Sequence, residues 1–115
     1  MKKKKININE CSLFVTKGTI VNGSVKSDGD IFIDGIMDGA INGQGAIYID
    51  TDSIINGDIF CKDLVVSGEI TGNMQIEKSI DVASTGRVFG NIHCHELIID
   101  EGAIYRGEIS VSAVQ

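Results

Sequence analysis

The residue types best suited to binding a metal come together at His93, Cys94, His95 and Glu96. Imidazole, thiolate and carboxylate groups are all common metal ligands in proteins. In an extended strand, however, His93 and His95 point to one side and Cys94 to the other, because side chains alternate. We therefore predict two solvent-exposed histidines and no bound metal. A surface zinc or copper site on His93 and His95 is the alternative.

The rest of the sequence lacks the groups that catalysis needs. It offers no evident pairing of an acid with a base and no nucleophile beside a base. The three cysteines, Cys11, Cys61 and Cys94, are odd in number and form no CxxC motif, so no disulfide framework is predicted. We predict that the protein is not an enzyme, with no catalytic residues and no cofactor.

The composition favours many short strands joined by tight turns. The 115 residues include 14 glycines, no proline and no tryptophan, and 5% are aromatic. Glycine suits tight turns, and a chain without proline can donate backbone hydrogen bonds throughout a sheet. The net charge of −6 argues against nucleic acid as a partner, since phosphate binding needs a basic surface. No signal peptide or transmembrane run stands out, so we predict a cytoplasmic protein.

A short pattern, apolar-x-Gly-x-apolar, recurs along the chain. The six copies are Val21-Gly23-Val25, Met37-Gly39-Ile41, Ile55-Gly57-Ile59, Ile70-Gly72-Met74, Val88-Gly90-Ile92 and Tyr105-Gly107-Ile109. Successive glycines are 15 to 18 residues apart. A repeat this short, with the alternation typical of strands, indicates a solenoid in which each copy contributes one coil.

Equivalent positions of successive coils are predicted to stack in rows about 4.8 Å apart. One inward row would hold Val25, Ile41, Ile59, Met74, Ile92 and Ile109. Cys61 and Cys94 would share another row, about 9.6 Å apart and beyond the reach of a disulfide. We predict an all-β fold, a right-handed, three-sided parallel β-helix of about six coils of roughly 17 residues each. A left-handed trimer of the acyltransferase type is the alternative, but irregular gaps break the hexapeptide count that it requires.

Three segments resemble the bactofilin family. They are residues 30–39 (DIFIDGIMDG), residues 64–73 (LVVSGEITGN) and residues 96–107 (ELIIDEGAIYRG). The resemblance covers about residues 18–109 and implies a small right-handed β-helix that polymerises end to end into filaments without bound nucleotide. It also implies a bacterial cytoskeletal scaffold, often near the membrane, that helps to shape the cell or to localise cell-envelope enzymes. The proline-rich tail of the family is absent from this sequence.

The repeat divides the chain into three predicted parts. Residues 1–17 are predicted to be a flexible basic tail, residues 18–111 the β-helix domain and residues 112–115 a short C-terminal tail. Lysines beside apolar residues are attracted to anionic lipid surfaces, such as the inner face of the cytoplasmic membrane. The candidates for a weak membrane contact are Lys2, Lys3, Lys4, Lys5, Leu13 and Phe14.

The two ends of a β-helix expose backbone groups and apolar rows that no further coil covers, and no amphipathic helix is predicted to cap them here. Such ends are templates for assembly, and a contact repeated at both ends gives an open filament. We therefore predict a homopolymer whose interface contains Phe14, Val15, Val21, Val25, Tyr105, Ile109 and Val111. The alternative function is a binding or anchoring adaptor that does not polymerise.

Overall fold

The computed structural model describes residues 11–112, and within this range all secondary structure is β-strand and every strand pair is parallel. The strands are β1 (Cys11–Val15), β2 (Ile20–Asn22), β3 (Val25–Ser27), β4 (Asp30–Ile33), β5 (Ile36–Asp38), β6 (Ile41–Gly43), β7 (Ala46–Ile49), β8 (Ile54–Asn56), β9 (Ile59–Val66), β10 (Glu69–Val82), β11 (Arg87–Cys94), β12 (Glu96–Ile99), β13 (Ile104–Arg106) and β14 (Ile109–Val111).

Successive coils stack so that their strands form three faces. Face A contains β2, β5, β8, the first parts of β10 and β11, and β13. Face B contains β3, β6, the first part of β9, the middle of β10, the last part of β11, and β14. Face C contains β1, β4, β7, the last parts of β9 and β10, and β12. Each face has one strand from each coil, so the predicted three-sided parallel solenoid of about six coils is confirmed.

The core consists of inward rows that run through all the coils. The row predicted from the repeat forms in register on face B, from Val25 at one end to Ile109 at the other. Its four middle members are Ile41, Ile59, Met74 and Ile92, and none of them is more than 2% exposed. Cys61 lies in the neighbouring row beside Ile76 and is also buried. Because no coil can bury these side chains alone, the stability of the fold depends on contacts between coils.

The repeat glycines form a row at the corner between face A and face B. Gly39, Gly57, Gly72, Gly90 and Gly107 have φ between +134° and +145°. Residues with a side chain rarely adopt this conformation. A Cβ added at Gly57 would also overlap the backbone carbonyl of Gly39, one coil earlier. Glycine is therefore required here for two reasons, the turn of the backbone and the close approach of adjacent coils.

The solenoid begins earlier than the repeat indicates. Strand β1 pairs with β4, and Val15, which lies opposite Ile33, is only 4% exposed. The prediction of a flexible tail over residues 1–17 therefore needs correction for residues 11–15, which complete face C of the first coil. This strand was missed because it lies before Gly23, the first glycine of the repeat. Its physical role is to cover the inward side chains of β4, which would otherwise lie at the surface.

Candidate assembly interface at the two ends

Within residues 11–112, each end coil has another coil on one side alone. Strands β1, β2 and β3 pair with the second coil, and strands β12, β13 and β14 pair with the coil before the last. The outer edges of these six strands have no partner strand in the described range. Such edges present rows of backbone N–H and C=O groups on which another strand can add.

The C-terminal end coil exposes apolar side chains that occupy core positions in other coils. Ile109, Val111 and Ile99 are 38%, 52% and 41% exposed. The residues that precede Ile109 and Ile99 in their rows are Ile92 and Val82, at 2% and 0%. The same row therefore changes from core to surface at this end. Ile99 was not among the predicted interface residues, although its place in the last coil of the repeat could have identified it.

The N-terminal end coil is more enclosed. Val21 and Val25 are half-buried and pack against the core, as expected for the first members of two inward rows. Val15, which the predicted interface includes, belongs to the buried core cluster and so offers little surface to a second copy. Phe14 points outward on face C, and its ring centre lies 4.9 Å from that of Phe32. Phe14 is therefore placed on the side of the solenoid and not at its end.

Tyr105 closes the face A inward row at the C-terminal end. It is half-buried against the core, and its hydroxyl group donates a 2.9 Å hydrogen bond to the carbonyl oxygen of Gly90. A second carbonyl, that of Glu108, also accepts from this hydroxyl group. Burial, with a smaller effect from the Glu108 carboxylate, raises the pKa of Tyr105, so the phenol stays neutral. Tyr105 thus fixes the last corner, next to Ile109.

The two histidines are exposed on the surface, as the strand alternation indicated. His93 Nε2 lies 3.3 Å from Ser112 Oγ, and His95 Nδ1 lies 3.0 Å from the carbonyl oxygen of Ser112. Within residues 11–112, no group of three or more histidine, cysteine, aspartate or glutamate side chains is arranged to hold a metal ion. Cys94, between the histidines, is buried in the core. His93 and His95 therefore both contact Ser112, the last residue that the structure describes.

Polar residues along the corner between faces A and B connect adjacent coils. Asp58 Oδ1 accepts a 3.2 Å hydrogen bond from the backbone N–H of Asn73. Two coils further along, Asn91 Oδ1 accepts a 3.4 Å hydrogen bond from the backbone N–H of Glu108. Carboxylate and amide oxygens at strand ends commonly satisfy neighbouring backbone groups in this way. These acidic and amide residues therefore act as structural links between coils.

The residues predicted to contact a membrane fall in two regions. Lys2, Lys3, Lys4 and Lys5 lie outside the described residues. Leu13 packs against the core, whereas Phe14 is 40% exposed on face C. Of the described candidates, Phe14 is thus the better placed for an external contact. Over residues 11–112 the chain forms no helix capable of crossing a membrane.

Comparison with known proteins gives one consistent family. Residues 13–110 match the Bactofilin family, described as polymer-forming and cytoskeletal. Two Myxococcus xanthus (strain DK1622) proteins are similar. Bactofilin BacO is 24% identical over 92 residues, which are 80% of this chain and 73% of that protein. Bactofilin BacP is 23% identical over 114 residues, 99% of this chain, which spans only 48% of BacP.

The fold is also that of a solved filament. The structure described as a cryo-EM reconstruction of Thermus thermophilus bactofilin double helical filaments superimposes with a TM-score of 0.82 and 21% sequence identity. The match covers 86% of this chain and 98% of that one. At this level of identity the structural likeness supports the fold, and the match over residues 13–110 supports the family. The chain, which forms a three-faced solenoid over residues 11–112, belongs to the bactofilin family of polymer-forming cytoskeletal proteins.

Proposed function

We propose that this chain polymerises end to end, without bound nucleotide, into filaments that serve as a scaffold for cell-envelope or morphogenesis proteins. The observation that carries the proposal is the exposure of Ile99, Ile109 and Val111 at positions that are core in the preceding coils. A second copy placed on this end continues the rows and pairs the free strand edges. The description of a related Thermus thermophilus protein as forming double helical filaments supports assembly into filaments.

The energy available at one end is modest. Full burial of an apolar side chain of this size contributes about 1.5–3 kcal/mol, so three half-exposed ones contribute about 3 kcal/mol. Backbone hydrogen bonds across three strand edges add specificity and some affinity, while the loss of rotational and translational freedom opposes association. We therefore expect assembly to depend on concentration. A single buried charge at the interface is sufficient to prevent it, since an unpaired charge costs several kcal/mol to bury.

The test places a charge at each end and examines purified protein by negative-stain electron microscopy. Ile109→Asp and Val21→Asp should each abolish filaments while leaving the circular dichroism spectrum unchanged. Ser110→Asp is the matched control, because Ser110 is exposed on the outward side of the same strand as Ile109. It should leave filaments intact. Filaments that persist when both ends carry a charge would refute end-to-end stacking.

Sedimentation separates this function from a non-polymerising adaptor. A polymer should show a sedimentation coefficient that rises with protein concentration, and the Ile109→Asp variant should remain a monomer. A wild-type chain that stays monomeric at high concentration would instead favour the adaptor. In either role we place the protein at the inner face of the cytoplasmic membrane, where lysines near its N-terminus add electrostatic attraction to anionic lipids.

A further inference from the structure

Face C is covered more completely than its own strands explain. All four residues of β7 are buried, although strand alternation points Ala46 and Tyr48 outward. Tyr48 is 5% exposed, whereas Phe60, an outward aromatic residue on face B, is 52% exposed. Both side chains belong to inner coils and have a neighbour on each side in their own row. Stacking within a row therefore does not account for the difference.

The outward row that contains Tyr48 is unusually apolar for the outer side of a strand. Its members are Phe14, Phe32, Tyr48, Val65, Asp81 and Ile98. Apart from Phe14 and Tyr48, all of them are half-buried. The corresponding row on face B is Lys26, Asn42, Phe60, Gln75, His93 and Ser110, and all of these are exposed. Face C therefore has the composition and the burial of a surface that something covers.

We propose that residues 1–10 of the same chain lie along this outward row of face C. The described chain begins at Cys11, in the first strand of that face. Tyr48 is two coils away, at about 10 Å, and Val65 is three coils away, at about 14 Å. An extended chain advances about 3.3 Å per residue, so Ile8 reaches about 10 Å from Cys11 and Ile6 about 17 Å. The two isoleucines thus match the apolar part of the row in spacing.

The sequence of the segment fits this surface in pattern and in charge. Ile6, Asn7, Ile8 and Asn9 alternate, so that one side of an extended segment is apolar. The four lysines at residues 2–5 would then come beyond the isoleucines, toward the coil that carries Asp81 on face C. Opposite charges placed in this order select one direction of the segment along the row.

The contact requires no second copy, because the segment and the row belong to one chain.

A tryptophan reporter tests the covering directly, because the natural chain contains none. Tyr48→Trp places the single tryptophan on face C, and Phe60→Trp places it on face B. We expect acrylamide to quench tryptophan fluorescence several-fold less in the Tyr48→Trp protein. If the Tyr48→Trp protein fails to fold, Val65→Trp reports from the next coil. Equal quenching at the two faces would overturn the proposal.

The occupant is identified by changing the segment in each reporter protein. Ile6→Asp with Ile8→Asp should raise quenching on face C to nearly the level of face B and leave face B unchanged. Asn7→Asp with Asn9→Asp adds the same charge on the alternate side, and it should have little effect on quenching. If quenching on face C instead rises only when Ile109→Asp prevents polymerisation, a second copy is the occupant and the proposal is wrong. If neither Ile6→Asp with Ile8→Asp nor Ile109→Asp affects quenching on face C, the proposal is also wrong.

Discussion

Gly57 and Gly23 hold the same position of the repeat, one in a middle coil and one in the first coil. Both have positive φ, at +143° and +124°. A Cβ at Gly57 would overlap the carbonyl of Gly39, whereas a Cβ at Gly23 meets no atom within 4 Å. The difference arises because no coil of the described residues precedes that of Gly23. A middle coil is thus constrained on both sides, and an end coil keeps the same geometry with one side open.

The largest effect is expected in the middle coil. Gly57→Ala combines an unfavourable backbone conformation with overlap against Gly39, and we expect a loss of about 3 kcal/mol or more in the free energy of unfolding. Urea denaturation followed by circular dichroism measures it, in an Ile109→Asp background that remains monomeric. A loss below about 1 kcal/mol would show that adjacent coils can separate to admit a methyl group, contrary to the close approach described here.

A smaller effect on folding is expected in the first coil, with a separate effect on assembly. Gly23→Ala meets the same conformational penalty without the overlap, so we expect a loss of about 1–2 kcal/mol. In the middle coils the missing Cβ points toward the preceding coil, so at Gly23 it points out of the N-terminal end. The methyl group should therefore weaken filaments by more than the loss in stability explains. Unchanged filament yield would indicate that a neighbouring copy does not continue the glycine row.

Features that repeat in every coil could be predicted from the sequence, whereas features found only in an end coil could not. The inward row from Val25 to Ile109 follows from alternation and from the spacing of the glycines, and both are local properties repeated in every coil. The buried position of Cys61 follows from the same register. By contrast, β1 has no repeat glycine, so its pairing with β4 depends on contacts such as Val15 with Ile33, between residues distant in sequence that no local pattern encodes.

The row to which a residue belongs was easier to predict than the exposure of its side chain. Ile99 and Val82 share a row and are both β-branched aliphatic residues, and their burial differs because Ile99 lies in the last described coil. Phe14 was predicted at an end because its apolar character was visible, while its outward direction depends on the register with Phe32. The interface therefore stays a prediction. The rows of Tyr105 and Ile109 do end in the last described coil, whereas the position of Phe14 on the side of the solenoid is decided by register rather than by composition.

The enclosure of the middle coils can also be tested through pH, because the thiol of Cys61 is buried in one of them. Burial, followed by the charge of Asp63, raises the pKa of Cys61 from 9.0 to about 12. Between these two values the unfolded chain holds fewer protons than the folded chain, so stability falls as the pH rises. We expect Cys61 to lower the free energy of unfolding by about 1.4 kcal/mol between pH 8 and pH 10.

The matched comparison is Cys61→Ala, measured by urea denaturation at both pH values in the monomeric Ile109→Asp background. Alanine leaves a small cavity, which lowers stability by an amount that does not depend on pH. The difference in stability between the two proteins should therefore shrink as the pH rises. Parallel stability curves for the two proteins would mean that the thiol ionises in the folded chain as readily as in the unfolded one, contrary to its burial.

The smallest effect is expected on the outside of the middle coils, where Glu69 and Arg87 lie side by side on face A. Arg87 Nε is 3.3 Å from Glu69 Oε1, and their side chains are 44% and 32% exposed, respectively. Water screens such a pair, so a double-mutant cycle of Glu69→Gln and Arg87→Gln should give a coupling of only about 0.2–0.5 kcal/mol, lost near 1 M salt. A coupling above about 1.5 kcal/mol that persists in salt would show that outward pairs hold coils together as strongly as the inward rows do. The structure, in which the rows are buried and the pair is not, predicts instead that the inward rows contribute far more than this outward pair.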